Sequence, residues 1–306
     1  MRRITLVLLM LLVAGVLLSG CGTPPTTPEG VKLYTEAGVD PDSWALVPAG
    51  EFLMGQYNDP VMIDYDYEIM VTHVTNAQYA QFLEEALAAG EIKIENGNVM
   101  GYYPGDKFQD GRHELKVPEG DYVLKPIDNI ASRIKYENGK FTVKEGYENH
   151  PVAMVSWFGA HNYADFYGYR LPTEKEWEKA ARGTEDDRPY PWGDEITAAN
   201  ANYYRSGGPF QTKDTGYSDT TPVGFFNGQK YGDFQTINSP SPYGLYDMAG
   251  NVSDWMGDNL YQHHDRRLKG GNKDYHAIDA RIWKVNSAPP EHVSPAFGFR
   301  CVRDLQ

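Results

Sequence analysis

Three stretches of the chain repeat apolar residues at helical spacing, and each carries its own start and stop signals. Thr75 and Gln78 stand at capping-box spacing, and Tyr79, Phe82, Leu83, Ala86 and Leu87 then share one face before Gly90. A second helix is predicted after Ser156, with Trp157, Ala160, Tyr163, Ala164 and Tyr167 on one stripe and Gly168 as the stop. A third starts at a capping box of Thr173 and Glu176, turns Trp177, Ala180 and Ala181 inward and closes at Gly183. Alternating or β-rich runs predict strands at Trp44 to Val47, Glu51 to Met54, Asp121 to Leu124 and Lys140 to Val143. The last 120 or so residues show little periodicity. They are dense in Gly, Pro, Asn, Asp and aromatics, which predicts loops packed on one another.

The first twenty residues follow a different pattern. Arg2 and Arg3 precede an apolar run from Ile4 to Leu18, which is short for a membrane span and ends in Leu18-Ser19-Gly20-Cys21. The pattern resembles a bacterial lipoprotein signal, which implies that residues 1–20 are removed and that Cys21 is lipidated as the mature N-terminus. A simple membrane anchor with an incidental cysteine is the alternative. Residues 21–43 begin with a Pro- and Thr-rich polar stretch and are expected to form a tether. Residues 44–306 then form one domain, with no repeat and no second linker.

Composition narrows the function classes. Against 42 Asp and Glu stand only 28 Lys and Arg, a net charge of -14, so a phosphate-tracking surface is not expected and nucleic acid is not a predicted partner. Loss of the signal arginines would take the charge to -16. With 41% hydrophobic residues the chain has enough apolar side chain for a core, and 31 Gly and 20 Pro favour turns over a helical bundle. The only two cysteines are Cys21 and Cys301. If Cys21 carries lipid, no intrachain disulfide, zinc cysteine cluster or CxxC pair is possible. The GxSxG elbow, the P-loop and a dinucleotide fingerprint after a strand are all absent.

A series of short motifs adds a family resemblance. Val47-Pro48-Ala49-Gly50-Glu51-Phe52-Leu53-Met54-Gly55 is similar to the opening strand of the sulfatase-modifying factor, or formylglycine-generating enzyme, family. His150-Pro151-Val152, Val155-Ser156-Trp157, Arg170-Leu171-Pro172-Thr173-Glu174 and Tyr190-Pro191-Trp192-Gly193 follow in the family's order. So do Pro222-Val223-Gly224, Tyr243 to Met248 with Gly250-Asn251-Val252, Gly270-Gly271 and Gly298-Phe299-Arg300-Cys301. The resemblance covers about residues 44 to 304. It implies a single α+β domain of C-type-lectin-like type, low in regular secondary structure. Residues 91–148 look like an insertion into it, and their turns and short strands predict a β-hairpin flap or a surface loop.

The chemistry departs from the family. Its active members hold copper between two nearby cysteines ahead of the final Gly-Phe-Arg-Cys, because soft sulfur donors suit Cu(I). Here the window His276 to Asn286 has no cysteine, and an ungapped register from Cys301 puts Ala277 and Ile282 near the thiol positions. Copper is therefore not expected, no residue receives a catalytic role, and Cys301 matches the family's non-catalytic cysteine. His263, His264, His276 and His292 fall in the C-terminal loops without a legible ligand spacing. The resemblance also implies structural calcium held by oxygen donors. Carried over by motif, Asn202, Tyr203, Asp214 and Tyr217 form one set, although the Asp214 segment runs one residue out of register. Asn251, Val252 and Asp254 form the other set. The same Asn and Asp positions also suit Asx turns without metal.

Two functional readings follow. In the first, the chain is a cell-envelope lipoprotein on the outer membrane or the outer face of the cytoplasmic membrane, and its groove at His276, Arg281 and Trp283 takes a glycan, a peptide or an envelope protein. In the second, it is a formylglycine-generating oxidoreductase, or a related metal-dependent enzyme, with an atypical site. The missing thiols favour the first.

Overall fold

The alternation at residues 44–47 forms a strand because every second side chain is covered: Ala45 and Val47 are buried, whereas Leu46 faces out. The computed structural model describes residues 31–106, 116–184, 187–212, 215–259 and 264–305, so Cys21, Asp214 and His263 lie outside the described residues. In chain order, β1 (Trp44–Val47), β2 (Gly50–Met54), β3 (Asp59–Ile63) and β4 (Tyr67–Met70) lead into helix α1 (Asn76–Ala89). Next come β5 (Ile92–Glu95), β6 (Asn98–Tyr103), β7 (Gly120–Pro126), β8 (Ile134–Glu137) and β9 (Lys140–Val143). Helices α2 (Trp157–Phe166) and α3 (Glu174–Arg182) follow. The rest holds β10 (Lys230–Tyr231), β11 (Phe234–Gln235), β12 (Ser253–Asn259), β13 (Arg266–Lys269), a 3₁₀ turn (Ala277–Ala280), β14 (Asn286–Ala288), β15 (Phe297–Gly298) and β16 (Val302–Asp304).

Local signals set the three helices. At α1, Gln78 N–H donates to Thr75 Oγ1 (3.2 Å) and Thr75 N–H to Gln78 Oε1 (2.9 Å), while Gly90 closes the helix at φ 77°. Ser156 Oγ accepts from Gly159 N–H (3.0 Å) at α2, which stops two residues before Gly168. Glu176 N–H donates to Thr173 Oγ1 (3.3 Å) at α3, and Thr173 N–H donates to Glu176 Oε2 (2.8 Å). The charged side of α3 is not solvated, however. Glu176, Glu178, Lys179 and Arg182 are buried together with Trp177, Ala180 and Ala181.

Long-range pairing closes the domain. β4 is flanked antiparallel by β1 (Ala45 opposite Ile69) and by β16 (Val302 opposite Ile69), so both ends of the domain share one sheet. A second sheet runs β14-β13-β12-β15, with β12 and β15 parallel at Ser253 and Phe297. The main core gathers Tyr79, Phe82, Phe158, Tyr163, Trp255 and Phe299. Each of the large buried indoles finds an acceptor: Trp157 Nε1–H donates to Met256 O (2.8 Å) and Trp255 Nε1–H to Val155 O (3.1 Å).

Two expectations change. The segment read as a flap is part of the core, because Val99, Leu124, Ile134 and Phe141 are buried in the main cluster beside α1 and α2. Its hairpins turn on Asn96-Gly97 and Asn138-Gly139, all four residues having positive φ, as two-residue primed turns require. The tether expected through residue 43 is docked from residue 31 onward. Lys32 N–H donates to Pro209 O (3.0 Å), Gly38 N–H donates to Val223 O (2.8 Å), and Tyr34 is buried in an aromatic cluster with Phe210, Phe225 and Phe226.

One buried acid makes stability depend on pH. Asp247 sits at φ 56°, accepts from Gly224 N–H through Oδ2 (2.6 Å) and leaves Oδ1 without a partner. Burial pushes its carboxyl up to about 6, against the pull of the Gly224 bond and of Arg300. A raised folded-state value means that its stabilising contribution is complete below its ordinary value near 4 and is lost as pH rises through about 6. Asp247→Asn keeps the acceptor and removes the charge. Its stability relative to the parent is expected to be about 2 to 3 kcal/mol more favourable at pH 8 than at pH 4. Denaturant titrations at the two pH values measure this, and an equal offset at both would refute it.

Candidate functional site

The window in which the family's active members carry their thiols is held by backbone contacts. Gly270 and Gly271 both have positive φ, and a Cβ on Gly271 would strike Ala280 of the 3₁₀ turn at 2.8 Å. Ser253 Oγ donates to Gly271 O (2.9 Å), and Asn272 Nδ2 donates back to Ser253 Oγ (2.9 Å). From the other side the turn at Tyr190 to Gly193 meets the window. Tyr190 Oη donates to Ala277 O (3.1 Å), and Ile282 N–H donates to Pro189 O (2.9 Å). Tyr190 also stacks on Trp192, with ring centroids 6.0 Å apart.

Around this frame the predicted groove residues make two separate sets of contacts. His276 is exposed and meets Tyr204 edge-on at 4.9 Å, and Tyr204 in turn contacts Tyr217 at 5.2 Å. Arg281 and Trp283 make the other set. The Arg281 guanidinium is 5.7 Å from the centre of the Trp283 ring and that of Arg182 is 5.5 Å from it. Arg182 is fully engaged at its terminal nitrogens with Asn58 Oδ1 (2.9 Å), Gly55 O (2.9 Å) and Glu178 Oε1 (3.1 Å). Arg281 differs: among the described residues its side chain has no hydrogen bond or ion pair, and its Nε is buried without a partner.

The residues do not fit a copper centre. Ala277 and Ile282 bring no donor, and Ile282 is fully buried in a hydrophobic cluster with Trp177 and Met256. Cys301 is fully buried in the main core, and burial pushes its thiol well above the ordinary range, so it is neither thiolate nor accessible. Among the described residues no three His, Cys, Asp or Glu side chains gather as metal donors.

In both calcium sets the oxygens described already have protein partners, and in the second set Asp254 is also paired with Arg300. Asn251 is committed to the backbone: its Oδ1 accepts from Thr221 N–H (3.0 Å) and its Nδ2 donates to Thr221 O (3.1 Å). Asp254 Oδ2 accepts from Trp177 Nε1–H (2.8 Å) and Arg300 Nε–H (2.9 Å), and Oδ1 lies 3.3 Å from His73 Nε2. Val252 is buried between them. Asn251 and Asp254 therefore do not present a calcium cage. In the first set, Asn202 Oδ1 accepts from the Ser218 hydroxyl (2.7 Å), Tyr203 O accepts from Gln211 and Tyr217 O accepts from Thr212 N–H (2.9 Å). These three oxygens belong to loops joined by the bridge between Gln211 and Ser218.

The sequence pattern gave no warning of several buried polar groups. Burial holds His73 down to about 4 and His150 likewise, so both are neutral in the fold. His150 Nε2 lies 2.7 Å from Tyr34 O, and Nδ1 lies 2.8 Å from Thr220 Oγ1. Lys125 Nζ donates to Ala153 O (2.5 Å), and burial, helped by Arg133, pushes it down to about 7. The single visible signal was a Lys within the apolar run of β7.

Comparison with known proteins agrees with this architecture. A formylglycine-generating enzyme of Streptomyces coelicolor is 35% identical over 298 residues, covering 84% of this chain and 88% of that protein. A protein named serine/threonine-protein kinase pkn1 from Chlamydia caviae is 36% identical over 194 residues, and the match spans 57% of this chain but only 27% of that relative's length. An inactive C-alpha-formylglycine-generating enzyme 2 of Bos taurus is 34% identical over 160 residues, covering 49% of each chain. Among solved structures, PvdO from Pseudomonas aeruginosa has the same fold with a TM-score of 0.52 and 23% identity, covering 86% of this chain and 94% of its own. Residues 32–305 match the sulfatase-modifying factor enzyme 1-like domain, and the chain belongs to that family.

Proposed function

We propose that this chain is a non-oxidase member of its family: a cell-envelope lipoprotein, lipidated at Cys21, that uses the groove at His276, Arg281 and Trp283 to bind a polar ligand, a glycan, a peptide or an envelope protein. The observation that carries this reading is the substituted window itself. In place of two thiols it offers Ala277, Ile282 and, between them, a guanidinium that has no partner among the described residues and lies beside an indole. Guanidinium and indole recognise ligands and do not activate oxygen. A relative whose own name calls it inactive supports the same direction. No helix among the described residues is long and apolar enough to cross a membrane, and the anchor in this reading is the lipid on Cys21.

Two experiments test it. Incubation of the copper-loaded protein with a Cys-Xaa-Pro-Xaa-Arg peptide is expected to leave the thiol intact by mass spectrometry. Conversion to the aldehyde above the enzyme-free background would restore the oxidase reading. For the anchor, Cys21→Ser is expected to move the protein out of the membrane fraction and abolish the lipid mass at the N-terminus, and an unprocessed, unlipidated parent chain would defeat it.

Calcium belongs to the proposal only at the first loop pair, where Asn202 with the carbonyls of Tyr203 and Tyr217, and Asp214, would supply hard oxygen donors. Chelation is then expected to lower the melting temperature of the parent, since an ion selective for the folded state stabilises it by mass action. Asn202→Ala should remove that response, whereas Asn251→Ala should destabilise the protein with or without calcium. A parent that melts identically with and without chelator would remove calcium from the reading.

A further inference from the structure

A cavity of about 510 Å³ opens between the end of β6 and helix α2, lined by residues 102–105 of the chain and by His161, Asn162 and Asp165 of the helix. That volume lies within the range of roughly 300 to 1,000 Å³ found for small-molecule sites. It belongs to the strand segment 91–148 and α2, and none of its lining residues is His276, Arg281 or Trp283.

Its wall is rigid and aromatic. His161 stacks on the buried Trp157 with rings nearly parallel at 5.0 Å, and Tyr103 stands edge-on to both, at 5.3 and 5.4 Å. Tyr103 is pinned by its hydroxyl, which donates to Asp106 Oδ1 (2.6 Å), and Asp106 is in turn paired with Arg266 (2.5 Å). Asn162 Nδ2 donates to Phe158 O (3.0 Å) and to Tyr102 O (3.4 Å), tying helix to strand. Such support fixes the ring geometry before any ligand arrives.

Two side chains on this wall, His161 and Asp165, have acceptor atoms that meet no donor among the described residues. Among the described residues neither the imidazole nitrogens of His161 nor the carboxylate of Asp165, one helical turn further on, has a hydrogen-bond or ion-pair partner. Among the described residues no Lys or Arg lines the cavity. Burial lowers the titration of His161, which favours the neutral ring with a free lone pair. An anion would meet Asp165 with no lining cation among the described residues to balance it, and a purely apolar ligand would strip water from that carboxylate without replacing its bonds. An ammonium group instead gives N–H donors to Asp165 and His161 and sets its charge against aromatic rings.

We propose that this cavity is a binding site for small primary amines, with Asp165 and His161 accepting from the ammonium group and Tyr103 contributing its ring. The probe is putrescine, titrated calorimetrically into the purified protein, with 1,4-butanediol as the neutral analogue and methyl β-glucoside as a polyol. Saturable binding of putrescine is expected, with no binding of the diol. Asp165 is exposed, so Asp165→Asn should fold normally and bind roughly tenfold more weakly. His161→Phe keeps the ring stacked on Trp157 and should weaken binding comparably, both variants retaining the parent melting temperature. Equal binding of the diol or the glucoside would make this a polyol site and overturn the proposal. Unchanged affinity in Asp165→Asn would reduce the effect to diffuse attraction by the acidic chain, and absence of binding at millimolar putrescine would end it.

Discussion

The buried ion pair of Asp254 and Arg300 is the constraint around which the other loops are arranged. A fold with so much irregular backbone leaves many carbonyls that no ladder satisfies, and each must find a donor. Arg300 supplies several from one side chain. Its Nε–H donates to Asp254, Nη1 to Met70 O (3.2 Å) and Val71 O (3.1 Å), and Nη2 to Tyr246 O (3.0 Å) and Asp247 O (3.4 Å). Asp254 completes the connection by accepting from Trp177 of α3. One pair thus fixes the end of β4, the 246–247 loop, β12 and α3 relative to one another. A buried pair of this kind gains little net stability over an apolar replacement, but removal of one partner alone costs about 3 to 5 kcal/mol. Its value here is specification of which loops meet.

The same logic explains the buried charges of α3. Lys269 donates to Glu178 (2.8 Å), Glu178 pairs with Arg182, and Glu178 also accepts from Gly55 N–H (2.5 Å), so strand β13 and the β2–β3 turn are both tied to the helix. Read as a helical wheel, Glu178 and Arg182 belong on a solvated face. They are covered because their partners arrive from positions about ninety residues downstream and more than a hundred upstream.

What was legible in the residues was what is decided locally. The capping boxes at Thr75 and Thr173, the Ser156 cap, the strand at Trp44 to Val47 and the turn-rich character of residues 91–148 all depend on neighbours within a few positions. The pairing of β1 and β16 on either side of β4 was not legible, because it is set by tertiary closure across the whole domain. Nor was the docking of residues 31–40, a polar stretch without period that attaches through backbone groups such as Gly38 N–H and Tyr34 O. At the site, the missing thiols could be read directly. The roles of Asn251 and Asp254 could not, since an Asn that closes on a neighbouring peptide and an Asp that pairs with a distant Arg look in sequence like cation ligands.

The shared motifs are structural, and this is why the family is so recognisable while its chemistry is open to change. Gly298 lies so close to Val152 O that a Cβ would meet it at 2.7 Å, Phe299 enters the aromatic core, Arg300 carries the central pair and Cys301 is buried. His150 holds Tyr34 O, and Arg170 makes paired contacts with Glu176. None of these depends on the window at 276–283. That window is itself held largely by main-chain groups, Ile282 N–H on Pro189 O and the carbonyls of Ala277 and Gly271, so its partly exposed side chains, such as His276, Arg281 and Trp283, can be exchanged without dismantling the turn, whereas the buried Ile282 and Ala280 cannot. A scaffold that fixes a loop through its backbone keeps the loop's position while leaving its chemistry free. In this chain that freedom has placed Arg281, unpaired among the described residues, beside Trp283 on a protein of net charge -14.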